Sequence, residues 1–182
     1  KNRPINYLYP FERQSQETGY NLKKPVDGSH RFSRDVAELH FFQTSRDKPS
    51  LVVLLAHLKS RLDPDGIDPN GFERRSAELK TLLEIYSELN SSFAQNIPII
   101  VAGDFNGNAA SHQTDPEFTS IYQTTQLKDV CELSGFSQEK SATYYQVNRN
   151  SKTEGKQLDY AFLNEVAQKY LDKQSVKIYR YK

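Results

Sequence analysis

A strand, a helix and a second strand follow one another in the middle of this sequence, and this unit constrains the fold more than any other feature. The first strand, Leu51–His57 (LVVLLAH), is apolar almost throughout, and residues 98–104 (PIIVAGD) form a second apolar run. Between them, one helical face carries Phe72, Leu79, Leu82, Tyr86, Leu89 and Phe93, which predicts a helix over residues 72–93. A connection of this size normally joins two parallel strands by a right-handed crossover. The sequence therefore predicts an α/β fold around two parallel strands.

Shorter segments add further strands and helices to this unit. Alternating or apolar patterns predict strands over residues 36–42, 142–147, 158–163 and 175–181, and helices within residues 115–135 and over 165–172. Residues 1–34 show no sustained periodicity and are predicted to form loops and strand fragments. A chain of 182 residues can bury one good core but is short for two. We therefore predict a single domain over residues 1–182, with strands in excess of helices.

Charge and cysteine content exclude several classes of function. The formal net charge is +1, so any recognition of phosphate must be local rather than a property of the whole surface. Cys131 is the single cysteine, which excludes an internal disulfide framework and a cysteine-rich zinc site and predicts a small buried apolar residue. No apolar segment is long enough to span a bilayer. Glycine-rich phosphate loops are also absent, so no organic cofactor is predicted.

Polar residues end both strands of the central unit. His57 is the last residue of the first strand, and Asp104 is the last residue of the second. Asn106 follows two residues later, so in an extended chain its side chain would point to the same side as that of Asp104. Parallel strands end at one edge of the sheet, where α/β proteins usually place their sites. We therefore predict that these three side chains converge. Two simpler interpretations stay open: Gly103 and Asp104 form only a turn, and His57 is a satisfied structural group.

Arg75 lies in the middle of the apolar face of the predicted helix, with Glu78 one turn further on at the edge of that face. A charge on a packing face requires a partner or a function. The interpretation that we favour is a structural ion pair between Arg75 and Glu78 that ties the helix to the sheet. The alternative is a direct contact between Arg75 and a phosphate group.

The loop before this helix, residues 63–74, has the composition of a calcium-binding loop but the wrong order. Counting from Asp63 places Ile67 at a ligand position, Asp68 at the position of the turn glycine and Arg74 at the position of the closing glutamate. We therefore predict a solvated loop rather than a calcium site.

Four motifs occur in an order that resembles a known family. They are AHLKS at residues 56–60, RSAE at 75–78, IIVAGDFN at 99–106 and QLDYAFLN at 157–164. This series is similar to that of the endonuclease/exonuclease/phosphatase superfamily, which has the DNase I-like fold. The resemblance implies a two-sheet α/β sandwich flanked by helices. It also implies hydrolysis of phosphate esters that depends on a divalent metal, Mg²⁺ or Mn²⁺.

The resemblance implies a role for each matching residue. His57 matches the histidine that contacts the scissile phosphate, and Asp104 matches the carboxylate that orients or deprotonates the attacking water. Asn106 matches the amide that steadies the phosphate or the metal, so Asp104 and Asn106 are the implied metal ligands. Asp159 matches the aspartate that pairs with a late histidine and sets its tautomer. Such a set suits an anionic ester, whose hydrolysis needs a cation, a base and hydrogen-bond donors.

The implied partner is a phosphate-ester substrate, with nucleic acid as the first candidate. Lys59 and Arg75 are the candidate substrate-binding residues. Nuclease-type cleavage is preferred because Lys59, Arg61 and Arg74 are expected near the edge of the site, although such charges also suit a solvated face. A phosphatase or a phospholipid or inositol phosphoesterase of the same superfamily is the alternative. A non-catalytic binding or scaffold module is the alternative from a different class.

Some motifs of the superfamily have no match in this chain. The early asparagine, the glutamate that grips the metal and the late Ser-Asp-His motif are missing, and the chain starts at Lys1 without any methionine. We therefore expect a partial domain, incomplete at both ends, whose natural start lies upstream. Two metal ligands at one strand end cannot enclose a magnesium ion. Residues 1–182 in isolation are accordingly predicted to have negligible metal-dependent phosphodiesterase activity.

Overall fold

The computed structural model describes residues 32–34, 36–43, 47–63, 66, 68–147 and 153–179, so most of the segment predicted as loops and strand fragments, residues 1–31, lies outside the described residues. The strands are β1 (Ala37–Phe41), β2 (Leu51–His57), β3 (Ile99–Asp104), β4 (Lys128–Asp129), β5 (Tyr144–Val147), β6 (Thr153–Lys156) and β7 (Asp159–Leu163). The helices are α1 (Phe72–Ser92), α2 (Thr119–Thr124), α3 (Val130–Leu133), α4 (Gln138–Ser141) and α5 (Glu165–Gln168). Within the described part of the chain, none of the helices is long and apolar enough to cross a membrane.

Two sheets organise these elements. The larger has the order β1-β2-β3-β7-β4, and the smaller is the β5-β6 hairpin. β2 and β3 are parallel, in a register that runs from Val52 opposite Ile99 to His57 opposite Asp104, whereas β1 and β7 flank them antiparallel. The predicted strand, helix and parallel strand are thus confirmed, as is the mixed α/β class with two sheets.

One face of the large sheet is closed and the other is more open. Leu54, Val101 and their neighbours on the closed face form a single hydrophobic core with the apolar side of α1, and both side chains are at most 1% exposed. On the opposite face, Leu55 remains 41% exposed and Phe41 48% exposed. His57 belongs to this open face, because it alternates with Ala56 and is two residues beyond Leu55. The candidate site therefore lies at the end of a face that the described residues leave accessible.

The loop before α1 is less solvated than predicted. Asp68 is 7% exposed, and its carboxylate accepts hydrogen bonds from the backbone N–H groups of Glu73 and Arg74. The carboxylate of Asp63 accepts a third bond, from the N–H of Asp68. Asp68 thus satisfies N–H groups of the first helical turn, which have no partners within the helix itself, and Asp63 holds Asp68 in place. Asp63 and Asp68 therefore both accept backbone hydrogen bonds that shape the start of α1.

Two predictions near the end of the chain were wrong. Of the strand predicted over residues 175–181, residues 175–179 are described and form no strand, and the predicted helix ends at Gln168 rather than at residue 172. The chain instead forms a turn at Asp172. Its Oδ1 atom accepts a hydrogen bond from the N–H of Gln174, and its carbonyl oxygen accepts one from the N–H of Ser175. A segment becomes a strand only when a neighbouring strand pairs with it, and no described strand pairs here.

Cys131 is a free thiol inside the fold, as predicted. Burial, with a smaller effect from the nearby Asp129, raises the pKa of this thiol to about 12. The side chain therefore stays protonated at neutral pH and packs as a small apolar group.

Candidate active site

Three of the predicted site residues lie side by side across three adjacent strands. His57 pairs with Asp104 in the parallel ladder, and Asp104 pairs with Asp159 in the antiparallel ladder. Residues directly opposite in a ladder project from the same face, so the three side chains form one row. The His57 Nε2 and Asp104 Oδ2 atoms are 3.5 Å apart, and the two side chains are 42% and 31% exposed. We call these three residues the site row.

Asn106 joins the site row through a left-handed turn. Its φ is +52°, so the chain leaves the extended conformation after Asp104 and the simple alternation predicted from sequence does not extend to Asn106. The N–H of Asn106 donates to Asp104 Oδ1 at 2.8 Å, and its Nδ2 donates to the carbonyl of Leu58 at 2.9 Å. These two bonds hold the amide beside the end of β2. Its Oδ1 accepts no hydrogen bond from the described residues and is available to a ligand.

Gly103 and Asp104 are part of the sheet rather than a simple turn. Gly103 has a φ of +133°, and a Cβ atom at this position would lie 1.9 Å from the carbonyl oxygen of Ala56. The backbones of β2 and β3 therefore approach closely just before the site row, which only glycine allows. The glycine fixes the separation of the strands that carry His57 and Asp104.

An aromatic cluster supports the row from below. Phe105 is 1% exposed, and its ring centroid lies 5.4–6.1 Å from those of Phe118, Tyr160 and Phe162. The hydroxyl of Tyr160 accepts a hydrogen bond from the N–H of Ala109 and donates to the carbonyl of Gln157. A polar strand end thus lies on a packed apolar support, which limits the motion of Asp104 and its neighbours.

Arg75 has a different partner from the one predicted. Its guanidinium contacts Glu117 through Nε at 3.0 Å and Nη2 at 2.5 Å, rather than Glu78, and Nη1 donates to the carbonyls of Lys59 and Asn70. Arg75 is 1% exposed, and the two paired side chains are 2% and 3% exposed. The structure therefore shows a buried ion pair, as the favoured interpretation required, but with Glu117 rather than Glu78 as the partner. The signal that was missed is Glu117 itself, which is 42 residues away along the chain.

Glu78 instead receives backbone donors. Its carboxylate accepts hydrogen bonds from the N–H groups of Ser33 and Lys59, at 2.5 and 2.6 Å, and lies 3.7 Å from Arg74 Nε. Burial raises the pKa of this carboxyl above its usual range, and the hydrogen bonds and the charge of Arg74 partly offset that effect. Glu78 therefore attaches the end of β2 to α1, which is a structural task in support of the site.

The three basic residues predicted at the site edge are not equivalent. The ammonium of Lys59 donates to the carbonyl of Leu62, and Arg74 is directed towards Glu78. Arg61 bridges two loops, since Nε donates to the carbonyl of Asn106 and Nη2 contacts Asp115 Oδ2 at 2.6 Å. Of these three residues, Arg61 is the one whose side chain bonds to the backbone of Asn106.

No protein-family model and no curated protein sequence matches the chain. Several solved structures resemble it at low identity. D. rerio TDP2, in a complex with a single strand DNA product, has 20% identity and a TM-score of 0.45, and the match covers 71% of this chain and 45% of that one. The human Nocturnin catalytic domain with bound sulfate has 20% identity and a TM-score of 0.42, over 71% and 40% of the two chains. Staphylococcus aureus beta toxin has 18% identity and a TM-score of 0.46, over 73% and 43%.

This chain thus spans less than half the length of each of these structures. At this level of sequence identity, the resemblance to the superfamily rests on the four sequence motifs. The sheet places His57, Asp104 and Asp159 from three of these motifs next to one another.

Proposed function

We propose that this domain hydrolyses phosphate esters with the help of a divalent cation, and that phosphodiesters of nucleic acid are its first candidate substrates. The single observation that carries the proposal is the site row, in which an imidazole and two carboxylates lie on one accessible face. Hydrolysis of an anionic ester needs a base for water and donors for the charge that develops on the phosphate oxygens. The row and Asn106 supply both kinds of group.

Asp104 is the proposed general base. One of its oxygen atoms is occupied by the N–H of Asn106, while the other lies 3.5 Å from His57. The second oxygen can therefore accept a proton from a water molecule while the first keeps the carboxylate oriented. His57 Nε2 lies on the same side and donates to a phosphate oxygen as negative charge grows on it.

The donor chemistry of the row suits a magnesium or manganese ion in part. Among the described residues no group of three or more His, Cys, Asp and Glu side chains is arranged to hold a metal. Asp104 and Asp159 nevertheless face each other as like charges in the ladder, which is destabilising without a counter-ion. Magnesium is usually held by one or two carboxylates together with substrate phosphate. Here the carboxylate oxygens of Asp104 and Asp159 and the Oδ1 atom of Asn106 would hold it. When bound, such an ion polarises the phosphate.

Magnesium is expected to stabilise the fold of this chain weakly. An ion bound with millimolar affinity adds about 1.4 kcal/mol at a tenfold excess over its dissociation constant, which corresponds to a rise of about 3–6 °C in Tm for a domain of this size. A thermal melt with 10 mM MgCl₂ measures this shift. The Asp159→Asn variant should lose it, because the second carboxylate of the row is removed. A shift of equal size in that variant would exclude Asp159 from the cation site.

Replacing His57 with alanine should lower kcat more than it raises KM. A donor to developing charge acts mainly in the transition state, so its removal leaves binding of the ground state nearly intact. We expect a decrease in kcat of about 10²–10³-fold, measured by steady-state kinetics in the full-length protein of which this chain is expected to be a part. A pure increase in KM at unchanged kcat would contradict the role proposed for His57.

The direct test of the function is hydrolysis by that full-length protein. The substrates are plasmid DNA, RNA, bis(p-nitrophenyl) phosphate and p-nitrophenyl phosphate, each with Mg²⁺ or Mn²⁺ and with EDTA. Turnover of the diesters that EDTA abolishes supports the proposal, whereas turnover of the monoester alone identifies a phosphatase. No turnover of any ester would leave a binding module as the better description. Residues 1–182 alone, assayed in parallel, are expected to be nearly inactive.

A further inference from the structure

The β5-β6 hairpin lies next to the site row and carries an exposed tyrosine. Thr143, just before β5, accepts hydrogen bonds through Oγ1 from the N–H groups of Leu158 and Asp159, and its own N–H donates to the carbonyl of Lys156. Tyr144 and Lys156 are opposite each other in the hairpin ladder. The base of the hairpin is therefore attached directly to the strand that carries Asp159.

Tyr144 and Lys156 share one face of the hairpin. Tyr144 is 47% exposed and Lys156 is also exposed. Paired residues in an antiparallel ladder lie with their Cβ atoms about 4.5–5.5 Å apart, so the phenol ring and the ammonium group are neighbours. We call this pair the hairpin patch. Lys156 and Asp159 are three positions apart in the sequence, a span of at most about 10 Å in extended chain, so the patch lies close to the site row.

Tyr145 lies on the other face of the hairpin, opposite Gly155. The ring of Tyr145 lies over Gly155, where an added Cβ would be 2.9 Å from the ring and 2.8 Å from Ala142. Neighbouring residues in a strand point to opposite faces, so Tyr144 is directed away from this contact. Tyr144 and Tyr145 are 47% and 41% exposed, so the hairpin presents an accessible aromatic side chain on each face. The face of Tyr144 is the one that also carries Lys156.

We propose that the hairpin patch binds single-stranded nucleic acid, with one base stacked on Tyr144 and an adjoining phosphate beside Lys156. This inference rests on the proposed function, because it names the substrate that the site row would cleave. Stacking on an exposed aromatic ring together with a cation for the backbone is the usual way in which proteins hold single strands. The two carboxylates of the row repel a polyanion, and Lys156 offsets part of that repulsion where the chain would enter.

A single strand suits the patch better than a duplex. The bases of a duplex already stack on one another, so a single tyrosine can take up a base only where the strand is unpaired. A small phosphate ester lacks the second nucleotide needed to reach both the patch and the row. The hairpin patch would therefore select for oligonucleotides over small esters.

Binding can be tested on residues 1–182 without turnover. Fluorescence anisotropy with a labelled 12-nucleotide oligo(dT), in EDTA, measures the affinity of residues 1–182. Tyr144→Ala should weaken binding about tenfold, while Tyr144→Phe should remain within about twofold because the ring is kept. Tyr170 lies after α5 and is 77% exposed, so it offers a matched control, and Tyr170→Ala should leave the affinity unchanged.

The role of Lys156 is tested by the salt dependence of binding. Lys156→Ala should reduce the slope of log K against log salt concentration by about one, with Lys128→Ala as its control.

The outcomes separate this inference from the proposed function. Equal affinity of Tyr144→Ala and the unchanged chain, or no oligonucleotide binding at all, would overturn the role of the hairpin patch. Competition by an equal concentration of duplex DNA would overturn the preference for single strands. Hydrolysis of bis(p-nitrophenyl) phosphate by the full-length protein reports on the site row, because this ester carries neither a nucleobase for Tyr144 nor a second phosphate for Lys156. If Tyr144→Ala keeps that activity but loses oligonucleotide binding, both proposals are supported.

Discussion

Substituting asparagine for Asp104 is expected to reduce diester hydrolysis by about 10²–10⁴-fold in the full-length protein. Asparagine keeps the shape of the side chain, and its oxygen can still accept the hydrogen bond from the N–H of Asn106. It cannot accept a proton from water, which is the step that the proposed mechanism assigns to the atom near His57. Initial rates with bis(p-nitrophenyl) phosphate measure the loss.

The stability of the Asp104→Asn variant provides the control. Removing one of two like charges that face each other in the ladder should leave the Tm unchanged or slightly raised. A large decrease in Tm would mean that lost activity reflects unfolding. Activity within about threefold of the unchanged protein would exclude Asp104 as the general base.

Replacing Arg75 with alanine is expected to lower the free energy of unfolding by about 3–5 kcal/mol, the usual cost of removing one partner of a buried ion pair. The Glu117 carboxylate would remain buried at 3% side-chain exposure without its cation, and the carbonyls of Lys59 and Asn70 would lose their donor. For a chain of this size the loss corresponds to about 10 °C in Tm. Urea denaturation of residues 1–182 measures the free energy directly.

Arg61 supplies the matched comparison for Arg75. Its pair with Asp115 is half-exposed, with side-chain exposures of 50% and 31%, so Arg61→Ala should cost less than about 1 kcal/mol. The double variant Arg75→Ala with Glu117→Ala should be less destabilised than the sum of the two single variants, because no charge is left alone. An unchanged Tm for Arg75→Ala together with lost activity would instead favour a contact between Arg75 and the substrate.

Local sequence patterns predicted the centre of the fold well. The limits of β2 were predicted without error and those of α1 to within one residue, because a continuous apolar run and a regular apolar face determine these elements locally. The parallel pairing followed from the length of the connection. The convergence of His57 and Asp104 at one sheet edge then required no further information, since it follows from the register.

The features that sequence did not predict depend on distant partners. β6, with the sequence TEGK, has low strand propensity and is a strand because it pairs with β5. Glu117 lies in a loop that no local pattern connects with Arg75, and only the folded structure shows that the two meet. The turn at Asn106 also depends on its contact with Leu58, which directly follows β2. Tertiary contacts of this kind determine how the site is held together.

Gly103 also has a consequence in genetics. Every nucleotide change that replaces this glycine with another amino acid adds a Cβ atom, which would lie 1.9 Å from the carbonyl oxygen of Ala56. Synonymous changes of the codon are therefore tolerated, whereas every amino-acid replacement at this position meets the same clash. In a library that samples all positions of the chain, codon 103 should be among those most depleted after selection for folding, even when the selection makes no demand on catalysis. The glycine would thus be maintained by the geometry of the sheet, whatever ligand the strand ends bind.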